Sequence, residues 1–207
     1  MNKNISFEMN EEEKKHSAIK TIISMLMARK WLDETDKFDR EKYFNELIKN
    51  SGETLDTTFL MCKNKNVAIK FYNSKLNSLK NDREIDTFLT NYSTHHKILI
   101  VNEVAPKPKK QILDNSNIEV FTLIELIKDI SQHILVDKHV LLTKEEAEQF
   151  IKEYDVVPAN LSKIYIDDPM SRFLFAKPGD IIKIIRYSEI SGYSSYYRLV
   201  VTGSILG

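Results

Sequence analysis

An adjacent pair of aspartates, Asp167 and Asp168, has residue types and a spacing that could hold a metal ion. Two neighbouring carboxylates offer the oxygen ligands that divalent cations prefer. Pro169 follows directly, however, and aspartate before proline is typical of a helix start, with the carboxylate as N-cap and the proline at the first helical position. A helix N-cap therefore explains these residues without a metal.

Two adjacent histidines, His95 and His96, and a single cysteine, Cys62, are the other candidates for metal binding or nucleophilic chemistry. Neighbouring residues of a strand point to opposite faces, so the two imidazoles cannot share one ion, and no carboxylate pattern accompanies them. We interpret them as surface or strand-edge histidines. Cys62 follows Leu60 and Met61 in a strand pattern, which favours a small buried apolar residue over a nucleophile. The sequence predicts neither a metal nor a cofactor.

Composition places the chain among ordinary globular proteins, with 42% hydrophobic and 29% charged residues. Lys+Arg and Asp+Glu both number 30, so the molecule as a whole exerts no electrostatic attraction on nucleic acid. The single cysteine excludes an internal disulfide and favours a reducing compartment. The N-terminus lacks the apolar core of a signal peptide, and no run approaches about 18 apolar residues, so we expect no contact with a membrane.

The strongest local basic patch is formed by Lys107, Lys109 and Lys110, which Pro106 and Pro108 hold apart. The prolines stiffen this loop and keep its backbone extended. A solvated surface loop is one interpretation, because runs of charge are usually solvated. Contact with DNA phosphates is the other, and it would be weak, dependent on salt and independent of sequence.

Alternating helix and strand patterns in the first two-thirds of the chain predict a mixed sheet with right-handed crossovers. Apolar residues recur at helical spacing from His16 to Trp31, and Asp36 or Asp39 can cap a second helix that ends near Gly52. The elements that follow are strands at 57–62 and 67–72, a helix at 82–92, a buried strand at 97–101, a short helix, a strand at 118–121 and a helix at 123–130.

The pattern changes near residue 136, where we divide the chain into domains 1–136 and 137–207. Thr143 and Glu146 form a Thr-x-x-Glu capping box that opens a helix. Apolar residues at 156, 157 and 161 are expected to return the chain to the core. Strands are predicted at 140–142, 181–186 and 196–201. The predicted fold class is α+β: an N-terminal α/β domain with a mixed sheet and a small C-terminal α+β domain.

From His139 onward the residues follow a known family pattern, in order and at its spacing. The matching stretches are 139–146, Asp168–Pro169 with Arg172, 178–186, Ser188–Glu189 with Gly192, and 197–200. On these residues the chain resembles the C-terminal assembly module of the fifth-largest subunit shared by eukaryotic nuclear RNA polymerases. Archaea possess this module alone, as a small separate polymerase subunit.

The first two-thirds resembles the same family more loosely, through the helix to Trp31, the apolar strand before the Pro106–Pro108 loop and the segment 118–121. It is similar to the family's N-terminal jaw module, which the small archaeal protein lacks. The resemblance therefore implies a protein of a eukaryote or of a large DNA virus. Its location would be the nucleus, or a cytoplasmic viral factory or virion.

Three positions depart from the family pattern. Tyr187 replaces the proline usual after Arg186, and Tyr193 replaces the basic residue usual after Gly192. Ser162 replaces a common proline. These departures are consistent with a divergent, viral member of the family.

The resemblance implies a subunit without catalytic residues that docks on the largest polymerase subunit, contacts other polymerase subunits and places a jaw near downstream duplex DNA. Its contact with the DNA would be weak and independent of sequence, through Lys107, Lys109 and Lys110. The subunit-interface residues that it implies are His139, Asp168, Pro169, Arg172, Gly179, Lys183, Arg186, Ser188, Glu189, Gly192, Tyr197 and Arg198.

A free-standing nucleic-acid-binding module is the alternative, because the family's N-terminal fold resembles that of restriction-type nucleases. Those enzymes bind a metal with an aspartate on one strand and an acid-x-lysine triplet on the next. Asp56 and Lys70 suit these roles, but the residue two before Lys70 is Ala68, which cannot ligate a divalent metal. A polymerase subunit should co-purify with large polymerase chains, whereas a free module should not.

Overall fold

The computed structural model of the chain describes residues 9–32, 39–51, 56–62, 65–77, 82–105, 117–190 and 192–203. These residues form two compact units, Met1–Lys128 and Asp129–Gly207, each containing a four-stranded sheet. The fold class is α+β, as predicted. The predicted boundary at residue 136 lies inside the second unit, after a 3₁₀ helix at Ile130–Gln132.

The first unit contains a mixed sheet of the predicted kind. Its strands are β1 (Thr57–Leu60), β2 (Val67–Leu76), β3 (His96–Val104) and β4 (Ile118–Thr122), and its helices are α1 (Glu11–Ala28), α2 (Asp39–Asn50), α3 (Arg83–Asn91) and α4 (Leu123–Ile127). Strand β1 runs antiparallel to β2, whereas β2, β3 and β4 are parallel neighbours. The possible cap at Asp36 and the short helix predicted before residue 118 lie outside the described residues.

Helix α1 begins earlier than its apolar spacing predicted, because Asn10 caps it. The Asn10 side chain accepts a hydrogen bond from the Glu13 backbone at 2.8 Å, and the Glu13 carboxylate accepts one from the Asn10 backbone at 2.9 Å. This capping box satisfies donors that the first turn leaves open. All residues from Ala18 to Met27 except Lys20 are buried, and α1 contacts α2 and α4. Helix α1 is therefore part of the core.

Strands β2 and β3 are buried along most of their length, as the almost wholly apolar sequence of 97–101 predicted for β3. Residues 67–71 and 96–101 are all buried. Ile85 and Phe88 of α3 pack into the same core cluster as Leu99. The predicted strand at 97–101 is confirmed, and the structure extends it at both ends.

The second unit has a sheet with the strand order β5-β7-β8-β6. Its strands are β5 (Lys138–Leu141), β6 (Ser162–Tyr165), β7 (Ile181–Ser188) and β8 (Gly192–Val201), and its helices are α5 (Lys144–Tyr154) and α6 (Pro169–Leu174), with a second 3₁₀ helix at Pro158–Asn160. Strands β5 and β7 pair antiparallel, as do β7 and β8, whereas β6 is parallel to β8. The predicted strands at 181–186 and 196–201 are confirmed and form one longer hairpin.

Strand β6 was not predicted, and the expectation for the residues before it was partly wrong. Val157, which we expected to pack into the core, is 58% exposed, whereas Ile164 in β6 is buried. The strand is short, and its residues Ser162, Lys163 and Tyr165 are exposed. One buried side chain is too weak a signal to predict a strand from sequence.

Both helix starts predicted in this unit are confirmed. The Thr143 hydroxyl accepts a hydrogen bond from the Glu146 backbone at 3.2 Å, and the Glu146 carboxylate accepts one from the Thr143 backbone at 2.8 Å. Asp168 accepts a hydrogen bond from the Met170 backbone at 2.8 Å, with Pro169 at the start of α6. Such caps depend only on neighbouring residues, so a sequence reveals them.

We expect the second unit to fold alone, because it has its own sheet and core. A fragment 129–207 should melt cooperatively, and at a higher temperature than a fragment 137–207, because the 3₁₀ helix Ile130–Gln132 contacts α6. Circular dichroism of the two fragments tests this. An unfolded spectrum for fragment 129–207, with the full chain folded, would contradict the division of the chain.

Candidate functional site

The pairing of the second sheet assigns each predicted interface residue to one of its two faces. Directly opposed residues of neighbouring strands share a face, and residues alternate faces along a strand. Lys183 pairs with Tyr197, and we call their side the Tyr197 face. Ile182 pairs with Arg198, and we call that side the Arg198 face.

The predicted residues do not form a single patch. The Tyr197 face contains Lys183 and Tyr197. The Arg198 face contains His139, Arg186, Ser188, Gly192 and Arg198. The other predicted residues lie off the sheet, with Glu189 in the β7–β8 turn, Gly179 in the turn before β7, and Asp168, Pro169 and Arg172 at helix α6.

On the Tyr197 face, Tyr197 packs against helix α5. The Tyr197 ring stacks on Phe150 of α5 with 3.9 Å between ring centres. The Lys183 ammonium lies 5.9 Å from the centre of the Tyr197 ring. The ring stacking holds α5 on the sheet, so Tyr197 has a structural role that sequence reasoning did not foresee.

On the Arg198 face, Arg186 is braced within the unit. Its Nε donates to the Asp137 carboxylate at 3.0 Å, and its guanidinium lies 4.5 Å from the centre of the Tyr196 ring. The His139 ring nitrogen Nδ1 lies 2.7 Å from the backbone carbonyl of Asp137. Asp137 therefore links the start of β5 to β7, and half-exposed Arg186 contributes to that link.

Arg198 differs from Arg186 although both lie on the same face. Its side chain is partly buried, between Ile182 of β7 and Ser162 of β6. Within the described residues no acceptor bonds its guanidinium. The guanidinium nitrogens are not among the buried polar atoms of the unit, so they reach the surface and can donate to an acceptor of another molecule. Arg198 is therefore the predicted residue that most favours an external partner.

Four of the other predicted residues support the local backbone. Asp168 and Pro169 start α6 as described above. Gly179 has φ +95° and Gly192 has φ +68°, a region that favours glycine. The Gly179 N–H donates to the Val200 carbonyl at 2.9 Å, which ties the turn before β7 to β8. The helix cap and the positive φ angles explain why these four residues match the family pattern.

Two of the three departures from the family pattern face each other. Tyr187 pairs with Tyr193 across the β7–β8 hairpin, with 5.2 Å between their ring centres. The third, Ser162, is exposed on β6. The predicted DNA-proximal residues Lys107, Lys109 and Lys110 lie outside the described residues.

In the first unit, the residues of the nuclease-like pattern are engaged in ion pairs. The Asp56 carboxylate pairs with the Lys15 ammonium at 2.9 Å, and Lys70 pairs with Glu84 at 2.8 Å. Ala68 is fully buried. In the described part of the chain, no group of three or more His, Cys, Asp or Glu side chains is arranged to hold a metal ion.

His96 corrects the interpretation of the two histidines as surface or strand-edge residues, because it is only 2% exposed. Its Nε2 lies 2.6 Å from the Glu119 carboxylate, and the Arg29 guanidinium donates two hydrogen bonds to that carboxylate, at 2.7 and 2.9 Å. The Trp31 ring packs edge-on against His96, with 5.0 Å between ring centres. Arg29, His96 and Glu119 form a buried charged cluster, with the partly buried Trp31 beside it. Their separation along the chain hides it from sequence reasoning.

Burial alone would raise the pKa of Glu119, but the charges of Arg29 and His96 and their hydrogen bonds outweigh it, so the pKa lies below its usual value. Glu119 is therefore ionised at neutral pH and balances Arg29. For Cys62, burial and then the Glu46 charge raise the pKa to about 12, so it remains a thiol. A protonated thiol is not a nucleophile, as predicted, but Cys62 is only partly buried, whereas the sequence predicted a buried residue.

Comparison with known proteins identifies polymerase subunits. A sequence model described as "RNA polymerase Rpb5, C-terminal domain" matches residues 128–200. The "DNA-directed RNA polymerase subunit 5" of Acanthamoeba polyphaga mimivirus is 31% identical over 182 residues, which are 87% of this chain and 88% of the viral protein. This similarity spans both units.

Archaeal relatives match a shorter stretch, about as long as the second unit. The "DNA-directed RNA polymerase subunit Rpo5" of Thermofilum pendens is 49% identical over 75 residues, which are 36% of this chain and 94% of the archaeal protein. That of Archaeoglobus fulgidus is 49% identical over 72 residues, 35% of this chain and 95% of the archaeal protein.

Across the described ranges, no helix is long and apolar enough to cross a membrane.

We expect the buried cluster to be essential to the first unit. Glu119→Gln removes the negative charge that Arg29 faces in a buried site, so the free energy of unfolding should fall by about 3–5 kcal/mol. Glu103→Gln, which breaks the exposed pair with Lys75, is the control and should cost less than about 1 kcal/mol. Urea titration of the full chain measures both, and equal losses would contradict the argument.

The cluster also predicts how stability depends on pH. Because the folded pKa of Glu119 is depressed, its stabilising effect is fully present above the unfolded value of about 4.3 and is lost as pH falls through the lower folded value. Acid titration followed by fluorescence should therefore show a loss of stability below about pH 4.3. The Glu119→Gln variant should lose less stability over that range.

Proposed function

The chain belongs to the subunit 5 family of DNA-directed RNA polymerases, and we propose that its second unit docks on the largest polymerase subunit. We propose that its first unit acts as a jaw near downstream DNA. The relatives named above are all polymerase subunits. We further propose that this chain acts by binding and supplies no catalytic residue.

One observation carries the assignment of docking to the second unit. The archaeal relatives are polymerase subunits, and 94–95% of their length matches a stretch of this chain about as long as the second unit. The C-terminal domain model matches residues 128–200, which lie in that unit except for residue 128. A protein with little beyond this fold can therefore belong to a polymerase. The assembly function is best assigned to the part of the chain that those proteins share.

Within the second unit, we assign Arg198 the leading role in docking. Its planar guanidinium can donate two parallel hydrogen bonds to a carboxylate or to carbonyl groups of the partner. The unit itself supplies no such acceptor within the described residues. His139, Arg186, Ser188 and Gly192 share the same face and would surround this contact.

The first unit supplies the proposed jaw. The mimivirus relative spans both units, which supports a protein of a eukaryote or a virus and a location in the nucleus or a viral factory. Lysines 107, 109 and 110 would contact phosphates without reading sequence. The Asp56–Lys15 ion pair and Ala68 argue against nuclease activity, because an ammonium already neutralises the carboxylate and alanine offers no ligand.

Arg198→Ala should weaken docking by about 2–5 kcal/mol, because a partner acceptor loses its donor within the interface. Arg198→Lys should not restore binding, since lysine cannot make bidentate bonds. A pull-down with the largest subunit encoded by the same genome measures this.

Arg186→Ala is the control for that experiment. It removes the bond to Asp137 and the contact with Tyr196, so it should lower the melting temperature of the isolated chain more than it lowers docking. If the Arg198→Ala protein docks normally, while a folded Arg186→Ala protein does not, the roles of the two arginines are reversed.

Changing Lys107, Lys109 and Lys110 together to alanine should flatten the salt dependence of DNA association. The slope of log affinity against log salt should fall by up to about three units, because at most three phosphate contacts are lost. Docking on the largest subunit should be unaffected, since the loop belongs to the first unit. Fluorescence anisotropy with duplex DNA across a salt series, paired with the pull-down, tests this. Loss of docking would contradict it.

A further inference from the structure

The end of the β7–β8 hairpin extends beyond the rest of the second sheet. Strand β5 pairs with β7 only as far as Ile185, and β6 pairs with β8 only from Arg198 onward. Among the strands that the structure describes, residues 186–188 and 192–194 pair with each other and with no third strand. We call residues 186–190 with 192–194 the hairpin tip. A two-stranded ribbon of this kind is marginally stable without further contacts.

The hairpin tip exposes three large apolar side chains. Tyr187 is 65% exposed, Tyr193 is 79% exposed and Ile190 is 98% exposed. The two tyrosine rings lie side by side on the Tyr197 face, inclined by 58° to each other. Among the described residues, neither tyrosine hydroxyl has a hydrogen-bond partner.

Hairpin stability alone does not account for this arrangement. A cross-strand aromatic pair does stabilise a ribbon, which explains why Tyr187 and Tyr193 face each other. It does not explain why both rings remain mostly in water, nor why Ile190 stands almost fully exposed at the turn. Exposed tyrosines beside an exposed aliphatic side chain are typical of a protein-binding surface.

The charge of the hairpin tip argues against nucleic acid as its partner. Arg186 is bound to Asp137, and the remaining charged residue described in the tip is the acidic Glu189. Surfaces that stack nucleic-acid bases on aromatic rings combine them with cations that follow the phosphates. The hairpin tip has the aromatic rings but no available cation among its described residues. A protein surface is therefore a better partner for it than nucleic acid.

We propose that the hairpin tip is an aromatic anchor for the largest polymerase subunit. Tyr187 and Tyr193 would pack on an apolar surface of that subunit and donate their hydroxyls to its carbonyl or carboxylate groups, and Ile190 would fill an adjacent depression. This inference rests on the proposed function and names the residues that contribute most to it. Tyrosine suits such an anchor because it buries a large ring with little loss of side-chain freedom.

The position of the hairpin tip favours the largest polymerase subunit as its partner over a second copy of this chain. Tyr193 lies on the same strand as Arg198, five residues away, or about 17 Å in an extended strand. The two side chains lie on opposite faces, but β8 is an edge strand between them, because β6 pairs with it only from Arg198 onward. A partner lying along this edge can therefore reach both, within the span of an ordinary interface. Three side chains alone are too small a surface for a stable dimer, which requires about 800 Å² on each partner.

The test compares tyrosine variants of the full-length chain for binding to the largest subunit encoded by the same genome. Tyr187→Ser combined with Tyr193→Ser should weaken binding about tenfold or more, and the matched double Phe variant should weaken it less, because only the hydroxyls are lost. Tyr154→Ser is the control, since Tyr154 is a similarly exposed tyrosine at the end of α5. It should bind as the unaltered chain does.

Ile190→Ser keeps the test valid if the double Ser variant unfolds. Its side chain is almost fully exposed, so its loss should leave the melting temperature unchanged and weaken binding several-fold. Unaltered binding by folded variants would overturn the anchor and leave the proposed function standing. No binding by the unaltered chain would overturn both. A dimer of the isolated chain that the double Ser variant dissociates, seen by light scattering, would assign the tip to self-association and overturn the proposal.

Discussion

The pairing of β7 with β8 determines which side chains of the second unit can meet another molecule. With Ile182 opposite Arg198, the next pair along places Lys183 opposite Tyr197 on the other face, beneath α5. A shift of one residue would exchange these two faces and bury Arg198 where Tyr197 stacks on Phe150. The glycines that open β8 and precede β7 support this register, because their positive φ angles permit the turns at its ends.

The two units place their charged residues differently. In the first unit, Arg29 and His96 both bond to the Glu119 carboxylate inside the core, so the cluster contributes to the fold and is buried away from other molecules. In the second unit, Arg198 is partly buried without an acceptor among the described residues. A buried charge that is paired serves stability, whereas a partly exposed guanidinium without an acceptor can bind another molecule. This contrast supports the division of labour proposed for the chain.

Local signals in the sequence predicted local structure well, and distant pairings could not be predicted. The capping box at Thr143 and the N-cap at Asp168 need only neighbouring residues, and both are present. The contact between Arg29 and Glu119 joins residues far apart in the chain, so His96 was wrongly placed at the surface. The resemblance identified the family. Its set of interface residues, however, included residues that cap helices or permit turns, and others that lie on the two opposite faces of the second sheet. Separating them required the strand register.

The central claim is that this chain is a stable component of a multisubunit RNA polymerase. Affinity purification of the tagged full chain from cells expressing all polymerase genes of the same genome, followed by quantitative mass spectrometry, tests it most directly. We expect the largest polymerase chains to be recovered in equal amounts with the tagged protein and to persist through a high-salt wash. Recovery of the folded chain without them would contradict it and would favour a free-standing module.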